Sequence, residues 1–445
     1  MRVSVVGAGL GGLTLAQGLR GAGIEAEVFE RDPGIAARFQ GYRLVLDPTG
    51  FQALRACLPT RWHALLDEIV MPAAAEQLVL DPQLNEIGRL GAGRTGIVVD
   101  RQVLRHLLLT GLTVHTDAAL TGYDLAADGR VRARFAHRAP ATADLLVGAD
   151  GITSAVRGVL SPQTAPTDTG VRFVIGRTPL TDEFTALSKA YGSKITGNGV
   201  SLLLGAMRFR TPPKQAAEQL APDVTLPDIG DYVRWAMILP PNTAPTTAPD
   251  TPSEDPTAQH AVLSRTEGWH PQLRALIRQA DPDNTTLLSI RVVEPGERWA
   301  PGPVTLLGDA VHATSPTGGN GANTALRDAD LLRRRLTEAA EGRRDLLDAV
   351  ADYERQMFAY GAEAVRTSLE RLPAFAPDAK LARGRSRSRG RQARGPRWAE
   401  PQRTPHVPSG ERTSPVARVT VRTLLMPSNR IRSPGARNSG LLSAQ

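Results

Sequence analysis

Two rhythms of apolar and polar positions run along the chain. Residues 2–30 open with an apolar run, "RVSVV", break at "GAGLGG", continue as "LTLAQGLRGAG", and return to apolar positions in "IEAEVFE". That order predicts strand, tight turn, helix and strand, a βαβ unit. Val98–Leu112 has helical periodicity after a charged start, Val131–Arg138 alternates as a strand does, and Ala143–Gly151 reads as a buried strand ending in a turn. From about Gly170 to Glu297 the pattern loosens. Short strand candidates, "VSLLLGAMRF" and "YVRWAMILP", are divided there by Pro- and Thr-rich loops such as Asn242–Gln259. Strand, turn and helix come back at Val304–Leu336, followed by a long helix, "DLLDAVADYERQMFAYGAEAVRTSLERL". After Phe375 apolar positions are few and aperiodic, so a disordered extension is expected.

A hydrophobic share of 41% over 445 residues is enough for a true core. No unbroken apolar run is long enough to predict a membrane span. The single cysteine, Cys57, excludes an internal disulfide framework and points to a reducing cytoplasm. One positive charge precedes the N-terminal apolar run, whose glycines are spaced for another purpose, so it is not read as a secretion signal. Charge is unevenly placed. The chain carries +8, but from Ala376 onward 15 basic residues face 3 acidic ones, which leaves −4 for residues 1–375. An Arg-rich tail of this kind suits a nucleic-acid tether; a non-functional extension, a reading-frame error included, is the reading adopted, and nucleic-acid binding is not expected.

The chemistry sits in the breaks between elements. "GAGLGG" places Gly7, Gly9 and Gly12 in the G-x-G-x-x-G pattern. Gly7 permits the turn off the strand, Gly9 lets a pyrophosphate approach the backbone, and Gly12 lets helix and strand pack closely. The helix start then faces the phosphates. Glu30 closes the second strand 18 residues after Gly12, where an acid can hold a ribose hydroxyl. NAD and FAD satisfy this fingerprint equally. "GADGITSAVR" supplies Asp150-Gly151 after a buried strand, with Ser154 and Arg157 following, and "LLGDAVHATSPTGGNGAN" supplies Gly308-Asp309 after another. The second stretch then opens a helix with residues short of bulk, as a large flat group lying on the backbone would require. The histidines lack metal-ligand spacing, and neither a nucleophile elbow nor a P-loop occurs, so no metal site and no protein nucleophile are expected.

With these three motifs in this order, residues 1 to about Leu372 resemble the FAD-dependent aromatic hydroxylases, single-component monooxygenases built like para-hydroxybenzoate hydroxylase. "DRQVLRHLL" and "YERQMFAYGAEAVRTS" look closest to the tetracycline-inactivating branch. The resemblance implies an α/β fold, with a Rossmann-like FAD-binding domain from residues 1–169 and 296–372 that ends in a C-terminal helix. It places an inserted β-sheet substrate domain at 170–295 and a disordered basic tail at 373–445. It also implies that Gly7, Gly9, Gly11 and Gly12 line the pyrophosphate and that Glu30, with Arg31 beside it, meets the adenosine ribose. Arg101 contacts FAD, Asp150 and Gly151 approach the cofactor, and Asp309, after Gly308, accepts from the ribityl chain. The backbone of Gly319, Gly321, Ala322 and Asn323 lies by the pyrimidine edge of the flavin, with the positive helix end facing N1 and O2. Arg38 stands either near the flavin and nicotinamide or on the surface. His312 serves packing and hydrogen bonding near the cofactor rather than acting as a base.

Val45 replaces the acid of the tetracycline-modifying members, so their substrate is not inferred. The implied activity uses NADPH or NADH and O2 to hydroxylate a phenolic or enolic small molecule through a flavin C4a-hydroperoxide. A reductase or dehydrogenase on the same fold is the alternative. The paired tryptophans of flavin halogenases are missing, and Gly9, Glu30 and Asp309 argue against a chaperone that has lost FAD. Met207, Phe209, Trp235 and Met237 are candidates for the pocket wall, although such residues more often belong to the core. A monomer or homodimer is expected.

Overall fold

The N-terminal βαβ pattern folds as its rhythm predicts. In the computed structural model, which describes residues 1–34, 41–73, 76–91, 96–188, 192–239, 256–282 and 285–374, β1 (Arg2–Val6) leads through the glycine turn into α1 (Leu10–Gly21) and back to β2 (Glu25–Phe29). These strands join β8 (Val114–His115), β12 (Leu145–Gly148) and β18 (Val304–Leu306) in a five-stranded sheet of order β18-β12-β1-β2-β8. Every pairing in it is parallel. Parallel strands are covered on both faces and therefore read as apolar runs, which is why Val3, Val5, Val28 and Leu145–Val147 are fully buried. One face is covered by α1, which packs on α2 (Pro48–Cys57), α4 (Arg101–Leu109) and α10 (Gly321–Ala340). Against the other lies an antiparallel sheet of β9 (Leu120–Leu125), β10 (Val131–Phe135) and β11 (Ala141–Ala143). There Phe135 stacks on Phe29 with ring centroids 4.5 Å apart.

Beyond this core a small sheet, β3 (Arg43–Leu46), β7 (Ile97–Asp100) and β4 (Val70–Pro72), leads to a seven-stranded one. Its strands are β5 (Glu76–Leu80), β6 (Glu86–Gly91), β13 (Thr167–Pro179), β14 (Ser193–Gly197), β15 (Val200–Met207), β16 (Tyr232–Leu239) and β17 (Thr286–Val292), in the order β17-β13-β16-β15-β14-β5-β6. Two strands, β5 and β6, thus come from the chain before residue 100. Helices α7 (Pro256–Arg265) and α8 (Pro271–Arg278) cover its far face, while α3 (His63–Ile69) packs on α6 (Pro213–Leu220). α5 (Ala155–Leu160), α9 (Asp309–His312) and α11 (Leu346–Arg371) complete the fold. No helix among the described residues is long and apolar enough to cross a membrane.

The periodic stretch at Val98–Leu112 divides differently from its pattern: Val98 and Val99 pair in β7, and the helix starts only at Arg101. Asp100 sets that boundary, since its carboxylate accepts from the Val103 N–H at 2.9 Å as an N-cap. Within the expected loop at Asn242–Gln259, residues 256–259 already belong to α7, and 242–255 lie outside the described residues, as do Arg38 and the tail from 375. Glu354 on α11 is buried and accepts from the Trp299 indole N–H at 2.7 Å. Burial pushes its carboxyl up to about 7. A raised carboxyl pKa means that the folded state holds the proton longer, so its contribution to stability declines as pH climbs from the unfolded value through about 7. Glu354→Gln should therefore be the more stable protein at about pH 8, by up to about 3 kcal/mol. Thermal melts should show the gap narrowing as pH falls towards the unfolded-state value.

Candidate active site

Four strand ends meet at one edge of the parallel sheet, where such folds bind ligands. The Gly7 N–H donates to Phe29 O at 2.7 Å, the Ala149 N–H to Val6 O at 2.7 Å, and the Leu307 N–H to Gly148 O at 2.9 Å. The three sequence motifs are thereby laced side by side. Gly7 has φ +110°, and a Cβ there would lie 2.3 Å from the Ala149 carbonyl oxygen. At Gly12 a Cβ would lie 2.3 Å from Gly7 O, and at Gly11 it would lie 2.7 Å from the Leu307 side chain. These three glycines let the motifs touch one another. Gly9 differs: nothing lies within 4 Å of where its Cβ would be, and Gly151, at φ +76°, is open in the same way. Helix α1 begins at Gly9 with no side-chain cap and no acid in its first turn, so its leading N–H groups suit an anion.

Glu30 is 5% exposed, and its carboxylate accepts from the Ala8 N–H at 2.8 Å and the Asp32 N–H at 3.0 Å. Arg105 approaches it to 4.0 Å and donates from Nε to Ala8 O at 3.1 Å. The spacing of Arg101 and Arg105 on α4, one helical turn apart, was the available sign that both face the same cleft. Arg31 reaches over the sheet edge and donates to Thr153 Oγ1 at 3.1 Å. One oxygen of Asp150 accepts from the Ala155 N–H at 2.7 Å, capping α5, while Oδ1 is buried with no hydrogen-bond partner among the described residues. Burial holds this carboxyl above the usual range. Arg157 donates to Ile152 O, Thr164 O and Ala310 O, which clamps the Asp150 turn to the Asp309 turn.

Asp309 is exposed at the start of α9, between the Asp150 turn and the start of α10. Desolvation pushes its carboxyl up, against the pull of Arg101 and His312. Gly308, at φ +60°, precedes it. A buried network under this turn was not visible in the sequence. Asp328, 0% exposed on α10, accepts from the Gly308 N–H at 2.8 Å, His312 Nε2 at 2.8 Å and Tyr360 OH at 2.6 Å. Burial alone would lower the His312 pKa, but the Asp328 carboxylate outweighs it and raises it. His312 is thus buried and held by Asp328.

At the start of α10, a Cβ on Gly321 would lie 3.7 Å from Asp309 Oδ1. Gly319 is exposed in the left-handed region at φ +60°, and Ala322 is half-buried. Asn323 is committed to the chain itself: its amide donates to Val45 O and Gly319 O, and its oxygen accepts from the Asp47 N–H at 2.9 Å. No side-chain cap and no first-turn acid occupy the α10 start.

Contacts at the start of α4 join the cofactor side to one face of the seven-stranded sheet. Arg101 N–H donates to Tyr42 O at 2.6 Å, and next to it Asp100 accepts from Tyr232 OH at 2.7 Å. Arg177 pairs across strands with Arg234, which pairs with Gly205, so all three share that face. Trp235 and Met237 point the opposite way, into the core under α7 and α8, where a Cβ on Gly176 would lie 2.3 Å from the Trp235 indole. Met207 is buried beside Tyr42 and Tyr232, with Phe209 half-buried against them.

A family profile described as "FAD binding domain" matches residues 259–368, and one described as "NAD(P)-binding Rossmann-like domain" matches residues 5–69. The crystal structure of a candidate FAD containing monooxygenase from Photorhabdus luminescens subsp. laumondii TTO1 superposes with a TM-score of 0.72 at 30% identity, covering 86% of this chain and all of that one. The chain belongs to the FAD-dependent monooxygenases. Within this family, the FAD-dependent urate hydroxylase of Klebsiella oxytoca is 29% identical over 80% of the chain and 85% of its own length. A dual O-methyltransferase/FAD-dependent monooxygenase of Cercospora beticola is 33% identical over 80% of the chain. The chain spans only 44% of that relative's length. FAD is the cofactor of the family, and three features of this flavoprotein fit it: the open Gly9 at an uncapped helix start, the unpartnered Asp150 Oδ1, and Asp309 beside a second uncapped helix start.

Proposed function

We propose that this flavoprotein hydroxylates a phenolic or enolic small molecule, with electrons from NADH or NADPH and one oxygen atom of O2. Bound FAD would supply the electron relay and the oxygen transfer. The reading rests on one observation: the open Gly9 turn, the Asp150 turn and the Asp309 turn meet at one edge of the parallel sheet, and Arg101, whose charge acts on Asp309, is bonded through its backbone to Tyr42 of the neighbouring sheet. The Gly9 turn and the start of α1 would take the pyrophosphate, and Glu30 the adenosine ribose. Asp309 would accept from a ribityl hydroxyl, fixed in place by Arg101. The free N–H groups of the first α10 turn would stabilise negative charge at the pyrimidine edge. Residues 1–169 and 296–372 would form the cofactor side, apart from β5 and β6, which join the strands of the 170–295 segment in the sheet on the substrate side, where Tyr42 and Tyr232 exclude water. Cys57, buried and unpaired, suits a reducing cytoplasm.

The test is incubation with isotopically labelled O2, NAD(P)H and a panel of phenols and enols. The expected product carries one labelled oxygen atom by mass spectrometry. Coenzyme oxidation that yields only hydrogen peroxide with every candidate would leave a reductase in its place.

A further inference from the structure

Helix α11 lies as a splint along the segment that carries the chain from β18 to α10. Tyr353 OH donates to Leu306 O at 2.8 Å. About two turns on, Gly361 leaves room for His312: a Cβ there would lie 2.6 Å from His312 Cδ2. About two turns further, Ser368 meets the 315–319 turn, which is built on the 3-10 turn Pro316–Gly318. Gly361, Val365, Ser368 and Leu372 fall on one stripe of this helix and its end, and all four are buried. Ser368 brings the one polar side chain among them.

That hydroxyl has a fixed orientation. It donates to Val365 O at 2.8 Å on its own helix, which leaves a lone pair to accept from the Ser315 N–H at 3.0 Å. Ser315, 0% exposed, meets Thr317 Oγ1 with its own hydroxyl at 2.9 Å and accepts from the Thr317 N–H at 3.4 Å. Thr317 closes the ring by donating from Oγ1 to Ser368 O at 3.2 Å. The fit is close: a Cβ on Gly318 would lie 2.7 Å from Ser368 Cβ, so the backbone of the turn rests on the serine. From there the chain passes through Gly319, in the left-handed region at φ +60°, and Asn320 into α10. The far end of the splint is tied to the seven-stranded sheet. Leu372 packs with Val171, Phe173, Ile238 and Ile290, and Lys194 of β14 donates from Nζ to Ala374 O at 2.8 Å. A helix end anchored in this way gives the turn a firm reference.

We propose that Ser368 is a positioning residue for the bound flavin: by capturing the Ser315 N–H it fixes the turn that aims the first N–H groups of α10 at the pyrimidine edge. The proposal deepens the functional reading and rests on its placement of that edge at the start of α10. A helix dipole stabilises a charge only while it points at it. A small rotation of the turn is therefore felt more by the reduced cofactor, which carries the added negative charge, than by the oxidised one. A serine that only supported its helix would affect both forms alike.

The test uses the full chain and reads affinity for oxidised FAD, the midpoint potential of the bound flavin, and hydrogen exchange of the 314–323 amides with and without FAD. Ser368→Ala leaves a buried N–H without its acceptor. Affinity for reduced FAD should then fall about tenfold relative to that for oxidised FAD, which makes the two-electron potential about 30 mV more negative. Thr317→Val, at a half-buried site, should shift the same ratio in the same direction by about threefold, and it decides the matter alone should Ser368→Ala fold poorly. Thr367→Ala, beside Ser368 but bonded to Glu363 at the exposed side of the helix, should change neither reading. An unchanged potential in both Ser368→Ala and Thr317→Val would overturn the proposal, as would affinities for the two redox forms that fall by the same factor. FAD that binds the unaltered chain yet leaves the 314–323 amides exchanging as they do without it would instead strike the placement of the flavin, and the proposal with it.

Discussion

Asp328→Ala should lower the melting temperature by about 5–10 °C and leave the purified protein largely free of FAD. The side chain is far from any surface, yet three donors converge on it: the Gly308 N–H, His312 Nε2 and Tyr360 OH. Removing the acceptor strands all three in a buried site, and a broken buried charge network costs about 3–5 kcal/mol. The loss should reach the cofactor because the same carboxylate fixes Gly308 in the positive-φ conformation that sets Asp309 at the start of α9. Asp328→Asn keeps an acceptor and should fall between. Melting followed by circular dichroism and flavin absorbance on the same samples checks both effects; full FAD retention in the alanine variant would separate Asp328 from the cofactor site.

The second large effect distinguishes two glycines in one motif. Gly7→Ala should cost more than about 3 kcal/mol and yield little folded protein, because the new methyl meets a backbone carbonyl and the backbone sits at positive φ. Gly9→Ala faces no neighbour and has an ordinary φ of −77°. Its stability should change by less than about 1 kcal/mol, while affinity for FAD falls. Denaturant titration set beside FAD titration makes the comparison, and equal stability losses at both positions would contradict the separate roles assigned to them.

The cofactor side of this chain was legible because its features are local. Glycines at fixed offsets, an acid at the end of a strand and an apolar run before each turn are all written within short windows, and β1, β12 and β18 follow directly from them. The contacts that join the motifs were not legible. Arg157, Arg105 and Asp328 act on residues up to 153 positions away, and Asp328 occurs in "RDAD", which reads as an ordinary solvated helix face. On the sheet the difficulty was parity. "VRWAM" announces a strand, but alternation alone does not say which set of side chains faces the cleft. Trp235 and Met237 turned to the core, and Arg234 between its apolar neighbours turned to the site. Arg177 joins it from another strand and Arg43 from a different sheet, a grouping that only the folded chain creates.

Asn323 has one further consequence. From the first turn of α10, its amide grips the strand carrying Arg43 with one hand and the Gly319 turn before the helix with the other. The cradle for the cofactor and the strand that links it to the neighbouring sheets thus share a single brace, so neither can drift without disturbing the other. Damage to this brace should loosen both together, unlike damage at Asp309, which belongs to the cofactor side alone.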